Sequence, residues 1–350
     1  MRSELTLDVV DGGGVRLEDV SGEVYGVHLR GRLPPAFRPY LVPAAGPRVD
    51  SASSLQVSYL LVRDLAEIEE VWVSEPEEAG PTRTPGRFAL FRVPDGFGLS
   101  VADEGRGLFR CTAREIRIEW TTPGTGAPHY LFSYALPLWL EVEGVPVLHG
   151  SAVSVGGRAV GFVGRSGVGK SVLCAELVRL GCGFVADDGL ALRRAGGRDA
   201  RGEWRCFHGP PLLRLWPSGL EGRLEIAAEA LPRVHETLEK RQLTVSGESA
   251  GVPAAGLPLA AVYVLRRRPE AAGAVELSES RPRDALVRLL EHGIAAGPVA
   301  ALGLSGRRLE LLVEVAGEVP VRLLSFPSGA ESAGRVLEAI LEDLGDVRPG

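Results

Sequence analysis

Lysine is nearly absent from this chain. Of its 39 basic residues only two, Lys170 and Lys240, are lysine, and all the others are arginine. Arginine therefore serves wherever any positive charge will do, and each lysine is a candidate for a task that a planar guanidinium does badly. Cysteine is scarce too: Cys111, Cys174, Cys182 and Cys206 form no C-x-x-C pair and no zinc-finger spacing, which excludes a disulfide scaffold and leaves reduced structural thiols. A basic excess is missing. With a net charge of −6, the chain has no overall field that would hold nucleic acid or an anionic membrane. A bilayer span needs ~18–20 clean apolar residues, and the longest candidate, Tyr130 to Leu148, is broken by Glu141, Glu143 and two prolines. The opening MRSELTLDVV carries acidic residues where a secretion signal needs an apolar core. The expectation is a soluble, cytoplasmic protein with no nucleic-acid or membrane partner.

Glycine and proline are plentiful, 45 and 25 of 350 residues, so the chain is loop-rich while staying globular in its 45% hydrophobic and 24% charged content. At roughly 150 residues per domain the length suggests two domains, and the pattern changes part-way along. From Glu4 to about Trp120 the runs alternate as strands do, with Leu55, Val57, Tyr59 and Leu61 on one face. Runs at Phe88–Val93, Leu99–Ala102 and Ile116–Trp120, with a Pro94-Asp95-Gly96 turn, predict an antiparallel meander. A Pro/Gly-rich joint, TTPGTGAP, closes this part at Pro128. Tyr130, Tyr134 and Leu138 then have helical spacing that Pro137 must kink or restart.

Beyond residue 145, strands and helices alternate. Val145–Val155 and Arg158–Val163 predict strands joined by a tight Gly156-Gly157 turn, Lys170 to Leu180 a helix closed by Gly181, and Gly183–Ala186 a short strand. A strand at Leu259–Leu265, a helix at Pro282–Ile294, a strand at Val319–Leu324 and a helix at Glu331–Leu344 follow. Gly189–Glu203 and Arg241–Gly256 read as long polar loops. The expected architecture is a β-rich N-terminal domain over 1–128 and an α/β domain over 129–350.

One motif carries chemistry. Gly164-Arg165-Ser166-Gly167-Val168-Gly169-Lys170-Ser171 fits the phosphate-loop pattern G-x-x-x-x-G-K-[ST], with a predicted strand before it and a helix after. Glycines let successive backbone N–H groups turn toward phosphate oxygens, lysine neutralises the β/γ charge, and the serine hydroxyl ligates Mg²⁺. The bland alternative is a glycine-rich turn with an incidental lysine. Asp187-Asp188 ends the next strand, where α/β sheets place ligands. Side chains of neighbours on a strand alternate in direction, so one carboxylate can face Mg²⁺ and the other an acceptor hydroxyl as general base. An ordinary solvated acidic turn is the alternative. His149, on the predicted strand before the loop, is a catalytic or a structural histidine. The segment CFHGPPLLRLWP, with His208, Pro210, Pro211, Leu213, Leu215 and Trp216, reads as an extended piece that packs apolar side chains or lines a groove. Lys240, in LEKRQLTV beside Arg241, is either an ordinary surface lysine or a mobile ammonium that follows the transferring phosphate.

The stretch from Leu148 to Asp188 resembles the catalytic core of the HPr kinase/phosphorylase family, and more closely the HPr-kinase-related proteins, some of them peptide kinases. The shared points are a His-Gly before a hairpin, a phosphate loop directly after it, and a double aspartate 17 residues past the loop serine. Around Tyr25-Gly26-Val27 and Leu33-Pro34 there is a looser likeness to the front of those proteins. The resemblance implies an α/β kinase core related to HPr kinase and phosphoenolpyruvate carboxykinase, with ATP and Mg²⁺ as cofactors. It further implies transfer of the γ-phosphate to a serine or threonine of a protein or peptide. Carried over by position, Lys170 holds phosphate, Ser171 takes the metal, Asp188 accepts the proton, and His149 is an active-site neighbour, which leaves Asp187 as the carboxylate that strand alternation turns to the metal. A homo-oligomer is a further expectation. The family's Ile-Glu-Ile-Arg-Gly-like signature has a metal-binding glutamate, whereas the corresponding span here, Phe207 to Pro217, has no carboxylate. That departure sets HPr itself, and the reverse phosphorylase reaction, apart from what carries over. A small-metabolite kinase and a non-catalytic ATP sensor are the competing functions.

Overall fold

The computed structural model describes residues 16–345, apart from 44–52, 63–64, 66–67, 75–86, 103–105, 123–125, 197–201, 236–237, 246–252, 254, 269–272 and 329–331. The strand-like runs before residue 16, the centre of the TTPGTGAP joint and the middles of the two expected polar loops lie outside the described residues.

The front of the chain is one eight-stranded sheet. Its order is Glu18–Val24, Val27–Leu33, Ser53–Leu61, Glu115–Trp120, Arg106–Thr112, Gly96–Ala102, Arg87–Val93 and Glu70–Val73. The last five are joined antiparallel, the predicted meander with two more strands, Arg106–Thr112 and Glu70–Val73, than the sequence pattern resolved. The Pro94-Asp95 turn joins Val93 to its partner Gly96, where any Cβ would sit 1.9 Å from the Cys111 carbonyl oxygen, so only glycine fits. Alternation fixes the faces: Leu55, Val57 and Tyr59 are buried on one side.

The segment after the joint is helical, as its spacing predicts. A helix at Gly126–Tyr130 runs through a π turn at Leu131–Ala135 into a helix at Leu136–Val142. Pro137 sits in the first turn of the last piece, and the Leu136 N–H reaches back five residues to the Leu131 carbonyl. The wider turn absorbs the proline without breaking the helix. Tyr130, Leu131, Leu136 and Leu140 are fully buried in one core with the front sheet. Glu141 ties the same helix to helix Ser305–Glu318 through a buried ion pair with Arg308, 2.7 Å.

The rest is α/β. Strands Gly150–Val155 and Arg158–Val163 form the predicted hairpin, with Gly156 at φ 55° and Gly157 at φ 75°, both left-handed as a two-residue turn of this hand requires. Arg158–Val163 pairs parallel with Leu257–Arg268, which pairs parallel with Val321–Pro327. Helices Lys170–Arg179 and Ser332–Leu344 share one apolar core with this sheet, and helices Pro282–Glu291 and Ser305–Glu318 another. A small sheet of Leu212–Leu215, Leu238–Thr244 and Arg233–His235 packs beside it. All four cysteines are buried and unpaired.

Three expectations need correction, and one stretch carried none. The strand placed at Val145–Val155 is two strands, Val147–Leu148 and Gly150–Val155, paired to different neighbours and broken at His149. Gly189–Glu203 is not all loop, because Leu190–Arg194 pairs with Trp204–Cys206 and with Val147–Leu148. The loop placed at Arg241–Gly256 begins inside strand Leu238–Thr244. Helices Ala296–Ala301 and Ser305–Glu318 fall in a stretch to which the sequence pattern assigns no element. For the three strand corrections, pairing with a sequence-distant partner overrode a weak local signal.

Candidate active site

The hairpin strand Arg158–Val163 runs directly into the glycine loop, and helix Lys170–Arg179 leaves it. Gly164 at φ 154° and Gly169 at φ 100° hold backbone conformations that side chains resist, and Gly169 opens the helix. Val168 folds beneath the loop, 3.1 Å from where a Gly164 Cβ would lie, while Ser166, Gly167 and Gly169 line an open cleft of about 400 Å³. Arg165 is exposed. Lys170 is buried, and its Nζ donates to the carbonyls of Gly164 at 2.8 Å and Arg165 at 3.3 Å. Burial pushes its ammonium down to about 8, against the pull of Asp187 and Asp188.

The aspartate pair closes the floor. Asp187, at the end of strand Gly183–Ala186, is 4% exposed, and its Oδ1 accepts from Ser171 Oγ at 2.8 Å and Ser151 Oγ at 2.6 Å. Its Oδ2 accepts from the backbone N–H of Arg214 at 2.8 Å. Asp188 turns the other way. It lies in the left-handed region, φ 70°, with Oδ2 2.5 Å from Arg214 Nη1 and Oδ1 3.6 Å from His149 Nδ1. Burial works to raise its pKa, but Arg214, His149 and Lys240 outweigh it and hold the carboxyl well below the usual range.

His149 lines the cleft from the break between its two strands, its backbone N–H fixed on the His292 carbonyl at 2.7 Å. Lys240, on strand Leu238–Thr244, lines the same cleft with its Nζ 5.5 Å from the Trp216 ring centre. Both lysines of the chain thus reach one cavity. His208 does not line it: the ring is buried, burial depresses it to about 4, and its carbonyl accepts the Tyr25 N–H at 2.6 Å. The segment around it divides, with Leu213 and Leu215 in the apolar core and Trp216 at the cleft wall.

Arg214 is the residue that the sequence pattern does not single out. In LLRLWP it reads as the polar face of a strand, yet it is 6% exposed. Its guanidinium bonds Asp188 and, by a short hydrogen bond, Ser133, and it lies 5.9 Å from the Tyr40 ring. A lone arginine in an apolar run after an acidic pair was the available signal. Ser133 and Tyr40 come from segments before the hairpin, so the front half of the chain lines one side of this centre.

The arrangement can hold an anionic group over the loop, orient a small cation between Ser171 and Asp187, and keep a carboxylate charged beside it. Several known proteins with sequence similarity carry one name. The HPr kinase/phosphorylase of Nitrosomonas europaea is 47% identical over 66 residues, 19% of each chain. That of Burkholderia lata is 31% identical over 209 residues, 60% of this chain and 56% of its own. This chain is similar in sequence to HPr kinase/phosphorylases over part of its length. A third, from Chlorobium phaeobacteroides, is 30% identical over 140 residues, 40% of this chain and 43% of its own. The matched part thus spans between about a fifth and just over half of these HPr kinase/phosphorylases. No family model matches the chain.

Proposed function

We propose that this chain is an ATP-dependent kinase that transfers the γ-phosphate to a serine or threonine hydroxyl of a protein or peptide. The observation that carries the reading is the meeting of Lys170, Ser171, Asp187 and Asp188 in one cleft, with the two carboxylates turned to different partners. Mg²⁺ keeps several waters and takes one or two protein oxygens, a demand that the Ser171 hydroxyl and the Asp187 carboxylate, 2.8 Å apart, fit. Among the described residues no group of three or more His, Cys, Asp or Glu side chains offers a richer metal site. When bound with the nucleotide, Mg²⁺ supplies charge neutralisation on the β- and γ-phosphate oxygens.

In this reading the protein's own residues do the rest. The backbone N–H groups of 164–169 and the Lys170 ammonium, swung from its two loop carbonyls, hold the triphosphate. Asp188, kept ionised by Arg214, accepts the hydrogen bond of the acceptor hydroxyl and takes its proton. The serine oxygen bonds to the γ-phosphorus as the bond to the β-phosphate oxygen breaks, and ADP leaves. Lys240 follows the phosphoryl group as it moves, and His149 orients Asp188. We assign the α/β catalytic domain to 129–350. The relatives are named for HPr, which supports a protein acceptor. Because Phe207 to Pro217 lacks the family's metal-binding glutamate, we do not extend the reading to HPr itself or to the reverse reaction.

Incubation with γ-labelled ATP and a cell extract, followed by sizing of the product, tests this reading. Label on a macromolecule or peptide that is lost in Lys170→Ala is the expected result. Label on a small metabolite would instead assign a metabolite kinase, and nucleotide binding without any transfer would assign a sensor.

A further inference from the structure

Beyond Lys170 and Lys240, one more cation of the cleft has no ion-pair partner among the described residues. Arg267 stands near the end of strand Leu257–Arg268, which passes under the glycine loop: the Leu265 carbonyl oxygen lies 3.2 Å from where a Gly164 Cβ would be. The Arg267 side chain then turns up the loop's flank, its Nη1 3.3 Å from the Cβ position of Gly169. That is the residue whose peptide opens helix Lys170–Arg179. The guanidinium rests 5.8 Å from the Phe326 ring and lines the same cleft as Lys170 and Lys240.

Its charge is uncompensated. Among the described residues no carboxylate lies within ion-pair distance of Arg267, and its Nε is shielded from solvent with no hydrogen-bond partner. The neighbouring cleft arginine differs in this respect: Arg223 is bound to Glu176 through two hydrogen bonds of 2.8 and 2.9 Å. Burial, and then the like charge of Arg223, act against the Arg267 cation, and Glu176 offsets this only in part. A half-buried guanidinium left unpaired beside another guanidinium costs stability. In a chain with this many arginines, such an arrangement makes sense where an anion arrives to complete it.

We infer that Arg267 is a direct ligand of the polyphosphate chain of the bound nucleotide, supplied from the core sheet on the flank of the loop at Gly169. The inference rests on the reading of 164–171 as a phosphate loop and adds to it a binding residue outside the motif. The planar guanidinium suits bidentate contact with phosphate oxygens, the fixed geometry that a resting polyphosphate offers. Phe326 holds the side chain in place until then. Arg267 and the lysines thus divide the work: two mobile ammonium groups act where phosphate moves, one arginine where it stays.

The test uses the full chain, with Arg267→Gln and Arg267→Lys, and two probes, MgATP and magnesium pyrophosphate. Affinities come from calorimetry, and melting midpoints are taken with and without ligand. Arg267→Gln should weaken both probes ~10–100-fold, the range for losing a charge-assisted contact, and Arg267→Lys should weaken them less. The ligand-free midpoint of Arg267→Gln should stay level or rise, since an unpaired cation has gone. A structural role predicts the reverse pattern, a lower ligand-free midpoint with affinities kept, and that result overturns the inference. Affinities within twofold of wild type in both variants overturn it as well, while the phosphate loop stands. Should the wild-type chain bind neither probe, the phosphate-loop reading itself fails, and this inference with it.

Discussion

Arg214→Met tests the centre most directly, because the ion pair it breaks is defined by geometry. The Arg214 side chain is 6% exposed and that of Asp188 28%, so the carboxylate loses its main partner in a site only partly open to water. Breaking a buried pair from one side costs about 3–5 kcal/mol, because the remaining charge is left uncompensated. Here His149 at 3.6 Å and Lys240 soften that loss, which favours the lower end, about 3 kcal/mol. The main-chain bond from Arg214 N to Asp187 survives the substitution, so Asp187 and Ser171 keep their arrangement. With unfolding entropy scaling with chain length, that loss lowers the melting midpoint by roughly 4 °C. Urea unfolding followed by tryptophan fluorescence gives the free energy. Pairing the change with Asp188→Asn completes a double-mutant cycle. Removing both charges should recover more than half of the loss, since a buried pair replaced as a unit is often near neutral. If Arg214→Met costs under about 1 kcal/mol, or if the two single losses simply add, Arg214 is not what holds Asp188.

Three further outcomes follow from the same geometry. Asp188→Asn should lower phosphate transfer ~10²–10⁴-fold while nucleotide affinity is kept or rises, since Arg214 is freed; Asp187→Asn should instead raise the Mg²⁺ requirement, and steady-state kinetics over a Mg²⁺ series separates the two. Lys240→Ala should reduce turnover ~10–10³-fold at saturating ATP and Lys240→Arg less, whereas turnover within twofold for both would make Lys240 an ordinary residue resting on Trp216. His208, depressed by burial to about 4, binds fewer protons folded than unfolded between that value and ~6.5. Its contribution to stability is therefore whole above pH 6.5 and is lost as pH falls toward 4, up to about 3 kcal/mol. His208→Gln should flatten that acid slope in urea titrations, and an unchanged slope would show that the ring is not held neutral.

The glycine loop, its hairpin and its helix were legible in the chain because each rests on local chemistry. Gly156-Gly157 dictates a tight turn, Gly164 and Gly169 permit a curl that other residues resist, and the leucine spacing after Lys170 marks a helix face. The meander at 87–120 was legible for the same reason, as alternation with a Pro-Asp-Gly turn. Scarcity also spoke: two lysines in 350 residues marked out positions that the fold brings to one cleft. What the chain could not disclose depends on partners far away in sequence. Leu190–Arg194 has too few residues to declare itself a strand, and becomes one by pairing with Val147–Leu148 and Trp204–Cys206. His149 looked like a strand residue until its two flanks joined different neighbours. Arg214 and Arg267 are two arginines among many by composition. Only tertiary packing sets one against Asp188 with its charge met, and leaves the other beside the loop with its charge unmet.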